Sequence, residues 1–504
     1  MLRKITGIKA AEFWFCLSSA LLLALPFLTP KFSSLAWFGF IPLFLALREK
    51  YGLHAFILSY LTGVIFWVLT IFWLVNVTLL GLVLLVLYLA LYFGIFGLLS
   101  CRLINTKYFF ITVPSLWVIL EYARSHLLTG FPWSLLGYSQ YLNLYIIQMS
   151  DITGVWGISF LIVMINMAIY SVFISRSFAF KRTWRLFLFL LIFLSLMIGY
   201  GYYRINYSYH INSVNPLKEV RLAVIQPNIP QELKWQTHSR VFIMQRYFEL
   251  TDMAIKDNPD LIIWPEASLP VVLEEEPHYL LSLRDYVVGN QKPLLFGSVT
   301  SKGNLYYNSA LLISGQGELL SQYDKLHLVP FGEYIPFRDS LRFLDTIAPI
   351  GDIARGGDYT IFRLPDNFGV LICFEDVFSE LARNFVKRGA RFLVNITNDA
   401  WFGKTPEAYQ HLAASVFRAV ENRVYLVRCA NTGVSAFISP LGKIISTVKD
   451  DKGEDIFVQG YKIETIPLYS STPTFYGRYG DFLPFLSVLF LLFGMTKGII
   501  KKRS

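Results

Sequence analysis

Long apolar segments in the first 204 residues constrain this chain more than any other feature. Most of them reach the ~20 residues that a helix needs to cross the hydrocarbon core of a bilayer. The segment at 33–47 is short, so we expect it to be tilted or partly re-entrant. No small-residue cleavage site follows the first segment, so we expect a retained anchor. The predicted spans lie near 10–28, 33–47, 54–75, 78–101, 109–128, 154–175, 186–203 and 482–499.

Charge is unevenly distributed along the chain. Residues 218–464 contain 26 Lys and Arg against 30 Asp and Glu, a net of −4, and the remainder contains 19 against 5, a net of +14. The basic excess therefore belongs to the apolar part and is not a nucleic-acid footprint. Fifteen basic residues fall on one side of the predicted spans and four on the other, so both termini are predicted to be cytoplasmic and 205–481 to lie outside the cytoplasm. The fifteen are Arg3, Lys4, Lys9, Arg48, Lys50, Arg102, Lys107, Arg176, Lys181, Arg182, Arg185, Lys497, Lys501, Lys502 and Arg503; the four are Lys31, Arg124, Arg204 and Arg478.

One predicted external loop runs from Thr129 to Tyr138 with the sequence TGFPWSLLGY. Its Trp133 and Tyr138 suit interfacial anchors, and a loop on the face of the acidic segment is also suited to line an access path from the outer leaflet. Glu121 lies near the external end of the fifth predicted span, where an unpaired carboxylate is costly. We expect Arg124 to be its partner.

Residues 218–468 alternate between apolar strands and amphipathic helices, the pattern of a layered α/β or α+β domain. About 250 residues are ample for one complete core. The predicted strands are 220–226, 260–264, 293–299, 309–314, 318–325, 369–373, 390–397, 424–430 and 434–439, and the predicted helices are 239–257, 277–289, 376–388 and 407–422.

Cys373 ends a predicted strand, and Glu375 and Asp376 open a predicted helix directly after it. The N–H groups of a helix N-terminus favour a thiolate. The two carboxylates oppose that effect, so a base has to come from elsewhere in the chain. A small buried core residue is the alternative for this window, and it is the role we assign to Cys429 in the strand 424–430.

Two further charged residues follow predicted strands. Glu266 lies just past an apolar strand in LIIWPEAS, and Lys325 ends another strand in YDKLHLVPFGEYIP. Strand ends meet at one edge of a sheet, where α/β sites are commonly built. There Glu266 can accept the thiol proton of Cys373, and Lys325 can stabilise a thiolate and an oxyanion. Each of the two charges, taken alone, also suits a solvated strand end.

The windows WPE, DKLHLVPFGE and CFE, in this order, resemble the nitrilase superfamily, which uses a Glu–Lys–Cys triad on an αββα sandwich. With seven preceding spans, one following span and the GFPW loop, the whole chain resembles the apolipoprotein N-acyltransferase family. The resemblance implies a polytopic α-helical membrane protein of about eight spans that carries an α/β nitrilase-like αββα sandwich domain. The expected parts are a bundle at 1–204, a linker at 205–217, the catalytic domain at 218–468, a linker at 469–481 and a final span with a basic tail at 482–504.

The resemblance also implies roles for individual residues. Cys373 would take an acyl chain as a thioester, Glu266 would act as general base, Lys325 would stabilise the oxyanion, and Glu333 would orient Lys325 and protons. Phe374 stands where relatives often carry Tyr, which puts a hydrogen bond from that position in doubt. Further positions that match the family are Trp235, Asn308, Glu375, Glu421 and Arg423.

The implied reaction transfers an acyl chain from a phospholipid to the α-amine of the S-diacylglyceryl cysteine of bacterial lipoproteins, by a ping-pong mechanism. We expect no cofactor, metal or nucleic acid, a monomer in the inner membrane, and a periplasmic catalytic domain. One alternative is a membrane-tethered nitrilase-type amidase acting on a small extracytoplasmic substrate, although one span would suffice to tether it. A second is a non-enzymatic scaffold or transporter, which few intramembrane charges and a complete Glu–Lys–Cys set disfavour.

Reporter fusions test the predicted topology. Fusions near residues 50, 105 and 180 and at the C-terminus should report from the cytoplasm, and fusions within 205–481 from the opposite side, because the basic residues divide fifteen to four. Alkaline phosphatase and a fluorescent protein give opposite signals on the two sides. A cytoplasmic signal from 205–481 would contradict acylation of lipoproteins on the outer face.

Overall fold

The computed structural model describes residues 8–174, 180–208, 216–334, 353–469 and 472–503. The chain divides into two compact units: 1–207 with 478–504, here called the helical unit, and 208–477, here called the sandwich unit. Arg3, Lys4 and Arg176 lie outside the described residues, as do parts of the predicted linkers 205–217 and 469–481.

Apolar α-helices make up the helical unit. Four of the described helices are long and apolar enough to cross a membrane: Ala10–Leu28, Gly52–Asn76, Leu79–Leu103 and Val155–Phe173. The predicted count of eight spans is not confirmed. The short second segment is broken, with a 3₁₀ stretch at Pro30–Trp37 ahead of a six-residue helix. The other α-helices of this unit are Ile41–Ala46, Phe109–His126, Leu144–Ile147, Ser150–Thr153, Phe180–Tyr203 and Phe482–Arg503.

The α-helical part of the second of these spans, Gly52–Ile71, packs closely against the helix Leu79–Leu103. A β-carbon at Gly97 would lie 2.7 Å from the carbonyl oxygen of Ala55, so only glycine allows this approach of the two backbones. Small residues at contacts between apolar helices serve the same purpose in membrane proteins, where close packing replaces the hydrophobic effect between helices.

The segment 129–138 is folded into the helical unit. Arg124 donates hydrogen bonds to the carbonyl oxygens of Phe131, at 2.7 Å, and Trp133, at 2.8 Å, and Glu121 accepts one from the amide of Leu136 at 2.7 Å. Glu121 and Arg124 act on each other electrostatically, as expected, although no hydrogen bond or ion pair within 4.0 Å joins their side chains in the described part of the chain. Both groups also hold the loop.

Trp133 and Tyr138 of this loop are buried inside the unit. Trp133 is 3% exposed and Tyr138 2% exposed. They are core residues here and not interfacial anchors, because the loop turns its rings inward. Access for lipid along this loop stays a prediction.

Two β-sheets form the sandwich unit. The strands are β1 Lys218–Gln226, β2 Leu261–Ile263, β3 Leu269–Val272, β4 Leu294–Lys302, β5 Leu305–Ile313, β6 Leu319–Asp324, β7 Phe368–Ile372, β8 Phe392–Thr397, β9 Tyr425–Ala430, β10 Ala436–Ile438, β11 Ile444–Thr447 and β12 Gly460–Leu468. One sheet has the order β12-β1-β2-β4-β5-β6 with β3 beside β4, and the other has the order β11-β10-β9-β8-β7. Neighbours β7, β8 and β9 are parallel, so their carboxyl ends share one edge.

The two sheets pack face to face with helices outside them, which confirms the expected α/β sandwich. Cys429 of β9 donates its S–H to the carbonyl oxygens of Ile225, at 3.3 Å, and Ile263, at 3.2 Å, across the space between the sheets. It is therefore a core residue, as the sequence predicts. The α-helices of this unit are Gln231–Lys234, Arg240–Ile255, Pro277–Asn290, Ser379–Lys387 and Glu407–Asn422, and the short helix Phe475–Tyr479 includes the boundary of the two units in the sequence.

All nine predicted strands are present, within a few residues of their predicted ends, and three further strands (β3, β11 and β12) were not predicted. The sequence of β12 lacks the apolar run of a buried strand, because most of its residues are half-buried. It is a strand because it pairs with β1 along nine residues. The helix predicted at 376–388 begins only at Ser379, because a 3₁₀ turn occupies Cys373–Val377.

Substitution of Arg124 by Met should lower the thermal unfolding midpoint of the purified protein in detergent. The change removes the donor of two carbonyl oxygens, and an unsatisfied buried group costs about 1–3 kcal/mol. Tryptophan fluorescence during heating measures the midpoint. Lys31→Met, at an exposed lysine of the same unit, is the matched control. Equal midpoints for the two variants would contradict the anchoring role of Arg124.

Candidate active site

The charged and polar residues singled out in the sequence meet at the ends of strands in the sandwich unit. Glu266 follows β2, Asn308 lies in β5, Lys325 directly follows β6, and Cys373 directly follows β7. Glu266, Asn308 and Lys325 are 8%, 8% and 1% exposed, so three polar side chains share a nearly dry space. Such burial requires that each be paired.

Lys325 is the centre of this group. Its ammonium donates to Glu333 at 2.9–3.0 Å and lies 3.7 Å from a carboxylate oxygen of Glu266. Asn308 donates its amide to both carboxylates, at 2.7 Å to Glu266 and 2.9 Å to Glu333, and the amide of Val329 donates to Glu333 at 2.8 Å. Against the effect of burial, the two carboxylates raise the pKa of Lys325. The ammonium is therefore charged.

Cys373 has a backbone conformation that non-glycine residues seldom adopt, with φ at +52°. Its carbonyl oxygen accepts from Asn395 at 3.0 Å and lies 3.3 Å from Nε2 of His411, which fix this strained turn. Burial first, and the Glu266 carboxylate second, raise the pKa of the thiol well above its usual value, although Lys325 opposes them. The thiol is therefore neutral, and removal of its proton by a base from elsewhere in the chain stays a prediction.

The carboxylate of Glu375 ties the strand before Cys373 to the segment after Lys325. Its oxygens accept from the amides of Leu326, at 2.7 Å, His327, at 3.0 Å, and Ile372, at 2.8 Å, and from the Tyr323 hydroxyl at 2.9 Å. Burial raises the pKa of Glu375 to about 7 against these donors. Its hydrogen-bond partners are backbone amides and the Tyr323 hydroxyl, so Glu375 stabilises the backbone next to Cys373 and Lys325.

Two of the aromatic residues expected around the site differ in burial. Trp235 is 47% exposed. Phe374 is half-buried and packs edge-on against Phe378, with ring centroids 5.2 Å apart. The ring at 374 therefore retains a packing role without a hydroxyl.

The matched positions Glu421 and Arg423 lie at the end of the helix Glu407–Asn422. Glu421 is fully buried and pairs with Arg418 at 2.9 Å. Arg423 donates to the carbonyl oxygen of Pro440 at 3.1 Å and has a positive φ of 56°. These contacts hold the helix end, and within the described residues no hydrogen bond or ion pair joins either side chain to Glu266 or Cys373.

Sequence reasoning missed a buried ionic cluster behind Cys373. Asp376 and Asp399 accept from Arg428 at 3.1 and 2.9 Å, and His411 lies 2.8 Å from Asp376 and 3.1 Å from Asp399. Against burial and Arg428, the two aspartates raise the pKa of His411 to about 10. No sequence signal marked this cluster, because the helix that bears Glu407 and His411 was predicted to be amphipathic, whereas it is buried along nearly all of its length.

Three members of this region, Asp399, Glu407 and His411, are close enough together to hold a metal ion. The guanidinium of Arg428 lies 2.9 Å from Asp399 and 2.8 Å from Nδ1 of His411. A cation is therefore already present among these ligands, and the arrangement suits an ionic core better than a metal site.

A second lysine was also missed. Lys234 is 3% exposed and donates from its ammonium to the backbone carbonyl oxygen of Glu266 at 2.9 Å. In this segment the family resemblance had selected the next residue, Trp235. A lysine beside an exposed tryptophan carries no pattern that predicts burial.

Two family comparisons cover most of the chain. Residues 19–168 match the apolipoprotein N-acyltransferase N-terminal domain, and residues 221–466 match the carbon-nitrogen hydrolase domain. The chain is 37% identical over 500 residues to an apolipoprotein N-acyltransferase of Geobacter metallireducens, covering 94% of this chain and 93% of that protein. It is 32% identical over 400 residues to an apolipoprotein N-acyltransferase of Rickettsia prowazekii, covering 77% and 76%.

Solved structures of the nitrilase superfamily are similar to part of the chain. Saccharomyces cerevisiae Nit3, a member of branch 10 of that superfamily, is 17% identical, with 50% of this chain and 91% of that chain covered and a TM-score of 0.38. An amidase from Nesterenkonia sp. is 18% identical, with 49% and 90% covered and the same TM-score.

Substitution of Arg428 by Leu should destabilise the protein strongly. It removes the guanidinium that Asp376 and Asp399 share, so His411 alone has to balance both buried carboxylates, and breaking such a pair costs about 3–5 kcal/mol. Arg391→Leu is the matched control, because Arg391 pairs at 3.0 Å with Asp366 but is 40% exposed at its side chain. A surface pair contributes about 0–1 kcal/mol. Thermal unfolding midpoints of the two variants should therefore differ clearly, and similar midpoints would contradict an ionic core at Arg428.

Proposed function

This chain belongs to the apolipoprotein N-acyltransferase family, and on that premise we propose that it transfers an acyl chain from a membrane phospholipid to the α-amine of the S-diacylglyceryl cysteine of bacterial lipoproteins. At the level of the family, the relatives' names support N-acylation of lipoproteins. One observation supports the chemistry most: Glu266 and Lys325, both buried, act electrostatically on a neutral thiol, Cys373, and Glu333 pairs with Lys325.

The first step forms the acyl-enzyme. Glu266 takes the thiol proton while the sulfur of Cys373 attacks the ester carbonyl carbon of the phospholipid. Lys325 stabilises the negative charge on the tetrahedral oxygen. Collapse breaks the ester C–O bond, the lysophospholipid alkoxide leaves with the proton from Glu266, and a thioester remains on Cys373.

The second step uses the same groups in the same order. The α-amine of the lipoprotein attacks the thioester carbonyl carbon, and Glu266 takes a proton from the nitrogen. Collapse breaks the C–S bond, and the sulfur of Cys373 leaves with the proton from Glu266. An amide forms and the enzyme returns to its starting state. One general base thus serves both halves of a ping-pong cycle.

The cell membrane is the setting that suits these substrates. The apolar helices of the helical unit support a bacterial membrane protein. The division of basic residues, fifteen to four, supports cytoplasmic termini and a catalytic domain on the periplasmic side of the inner membrane. We propose a phospholipid donor, a diacylglyceryl-lipoprotein acceptor and a monomer. Exclusion of water during the thioester stage would limit hydrolysis.

Intact mass spectrometry of the purified protein tests this proposal. Incubation with phospholipid alone should add the mass of one acyl chain, because the first step needs no acceptor. The adduct should persist until a peptide with an N-terminal S-diacylglyceryl cysteine is added, which should receive the chain as an amide. Cys373→Ser should abolish the adduct, and Cys429→Ser is the matched control that should form it.

Other outcomes identify the alternatives. A small-molecule amidase would show no stable adduct with phospholipid, or would lose it to water without the peptide. A scaffold would show no mass shift with any substrate. Labelling of Cys429 and not Cys373 would contradict the assignment of the nucleophile.

A further inference from the structure

Lys234 is a buried cation that the proposed reaction does not yet use. Its side chain is 3% exposed, whereas its neighbour Trp235 is 47% exposed. In the described part of the chain its ammonium has one hydrogen-bond partner, the backbone carbonyl oxygen of Glu266 at 2.9 Å. A buried ammonium with one acceptor is expensive, since three N–H donors have left water. Its location beside Glu266 is therefore informative.

The segment that carries Lys234 is firmly held. Asn431 binds Ile229 on both sides, donating to its carbonyl oxygen at 2.8 Å and accepting from its amide at 2.9 Å. Asn398 donates to the side chain of Gln231 at 2.8 Å. These hydrogen bonds fix the backbone at the start of the short helix Gln231–Lys234. The position of the lysine beside Glu266 therefore follows from the fold of this segment.

Charge balance gives this lysine a role in the site. The carboxylates of Glu266 and Glu333 carry two negative charges, and Lys325 supplies one positive charge between them. Lys234 supplies the second positive charge, so these four side chains together are neutral when Cys373 is a thiol, and Asp399, which also acts on Cys373, has its own cations in Arg428 and His411. The four side chains and Cys373 together stay neutral when the thiol proton moves to Glu266. Without Lys234 the same transfer would occur in a site with excess negative charge, which opposes formation of a thiolate.

We propose that Lys234 is a positioning residue of the acyl-transfer reaction, which fixes the backbone of Glu266 and lends the positive charge that favours the thiolate of Cys373. This inference depends on the proposed function only in that Cys373 is the nucleophile. It adds a second cation to the group implied by the family resemblance.

The charge of Lys234 changes with pH near pH 8. Burial lowers its pKa to about 8, although the Glu266 carboxylate and the ionised form of Cys373 oppose that shift. The ammonium is therefore present below about pH 8 and is lost as the pH rises through that value. Any help it gives to the Cys373 thiolate must disappear over the same range.

Alkylation of Cys373 by a small neutral haloacetamide, measured against pH in the full-length protein, tests the inference. The rate reports the thiolate and needs no phospholipid. Wild type should react about 10–100-fold faster than Lys234→Met at pH 6.5, which corresponds to one to two pK units of thiol acidity. The ratio should approach one above about pH 9, where wild type has also lost the charge.

The arginine variant separates charge from packing. Lys234→Arg keeps a cation at every pH, so its advantage over Lys234→Met should not decline above pH 8. Lys256→Met, at an exposed lysine of the same unit, should follow wild type at each pH. Cys429 is fully buried and serves as an internal check, because its alkylation would report unfolding of a variant. Lys234→Gln replaces Lys234→Met should the latter unfold.

Some results would overturn the inference. A rate ratio between wild type and Lys234→Met that is the same at every pH would leave Lys234 a purely structural residue. Equal rates would also contradict it. If wild type forms no adduct with phospholipid but shows the predicted pH-dependent alkylation, the proposed function fails while the role of Lys234 in thiolate formation stands.

Discussion

The burial of one ammonium, that of Lys325, determines how the candidate site is built. A charge that is 1% exposed loses several kcal/mol of solvation unless carboxylates and hydrogen bonds replace the water. Glu333 and Glu266 provide the charge, and Asn308 joins the two carboxylates. These residues come from β5, the ends of β2 and β6, and the segment after β6. The register of these strands therefore determines whether the four side chains are close enough to pair.

The thiol of Cys373 differs from that of cysteine enzymes with a standing thiolate. Burial and Glu266 keep it protonated, and the positive φ of 52° is maintained by hydrogen bonds to its carbonyl oxygen from Asn395 and a contact with His411. The protonated form reacts slowly with electrophiles and oxidants other than the substrate, since the thiolate is the reactive species. In the proposed mechanism the nucleophile forms only as Glu266 takes the proton.

Sequence predicted what depends on local pattern. Apolar runs located the nine strands, and a polar residue after such a run falls at a sheet edge, which is why Glu266, Lys325 and Cys373 could be selected from the sequence alone. What failed depends on tertiary contacts. Strand β12 has half-buried residues and is stabilised by β1, more than 200 residues away. The two carbonyl oxygens of the folded loop that accept hydrogen bonds from Arg124 could likewise not be predicted from the sequence.

Buried cations were the least predictable part of the site, and the reason is physical. Lys and Arg are usually exposed, so a sequence offers no pattern for the rare one whose cost of burial is met by groups distant in the chain. Lys234 meets the backbone of Glu266, 32 residues away, and Arg428 meets Asp376, 52 residues away. Removal of either partner would leave an uncompensated charge, whereas an apolar pair could fill the same space without that risk. Their presence beside the proposed base and the proposed nucleophile is therefore better explained by the electrostatics of the reaction and the shape of the turn at Cys373 than by a gain in stability.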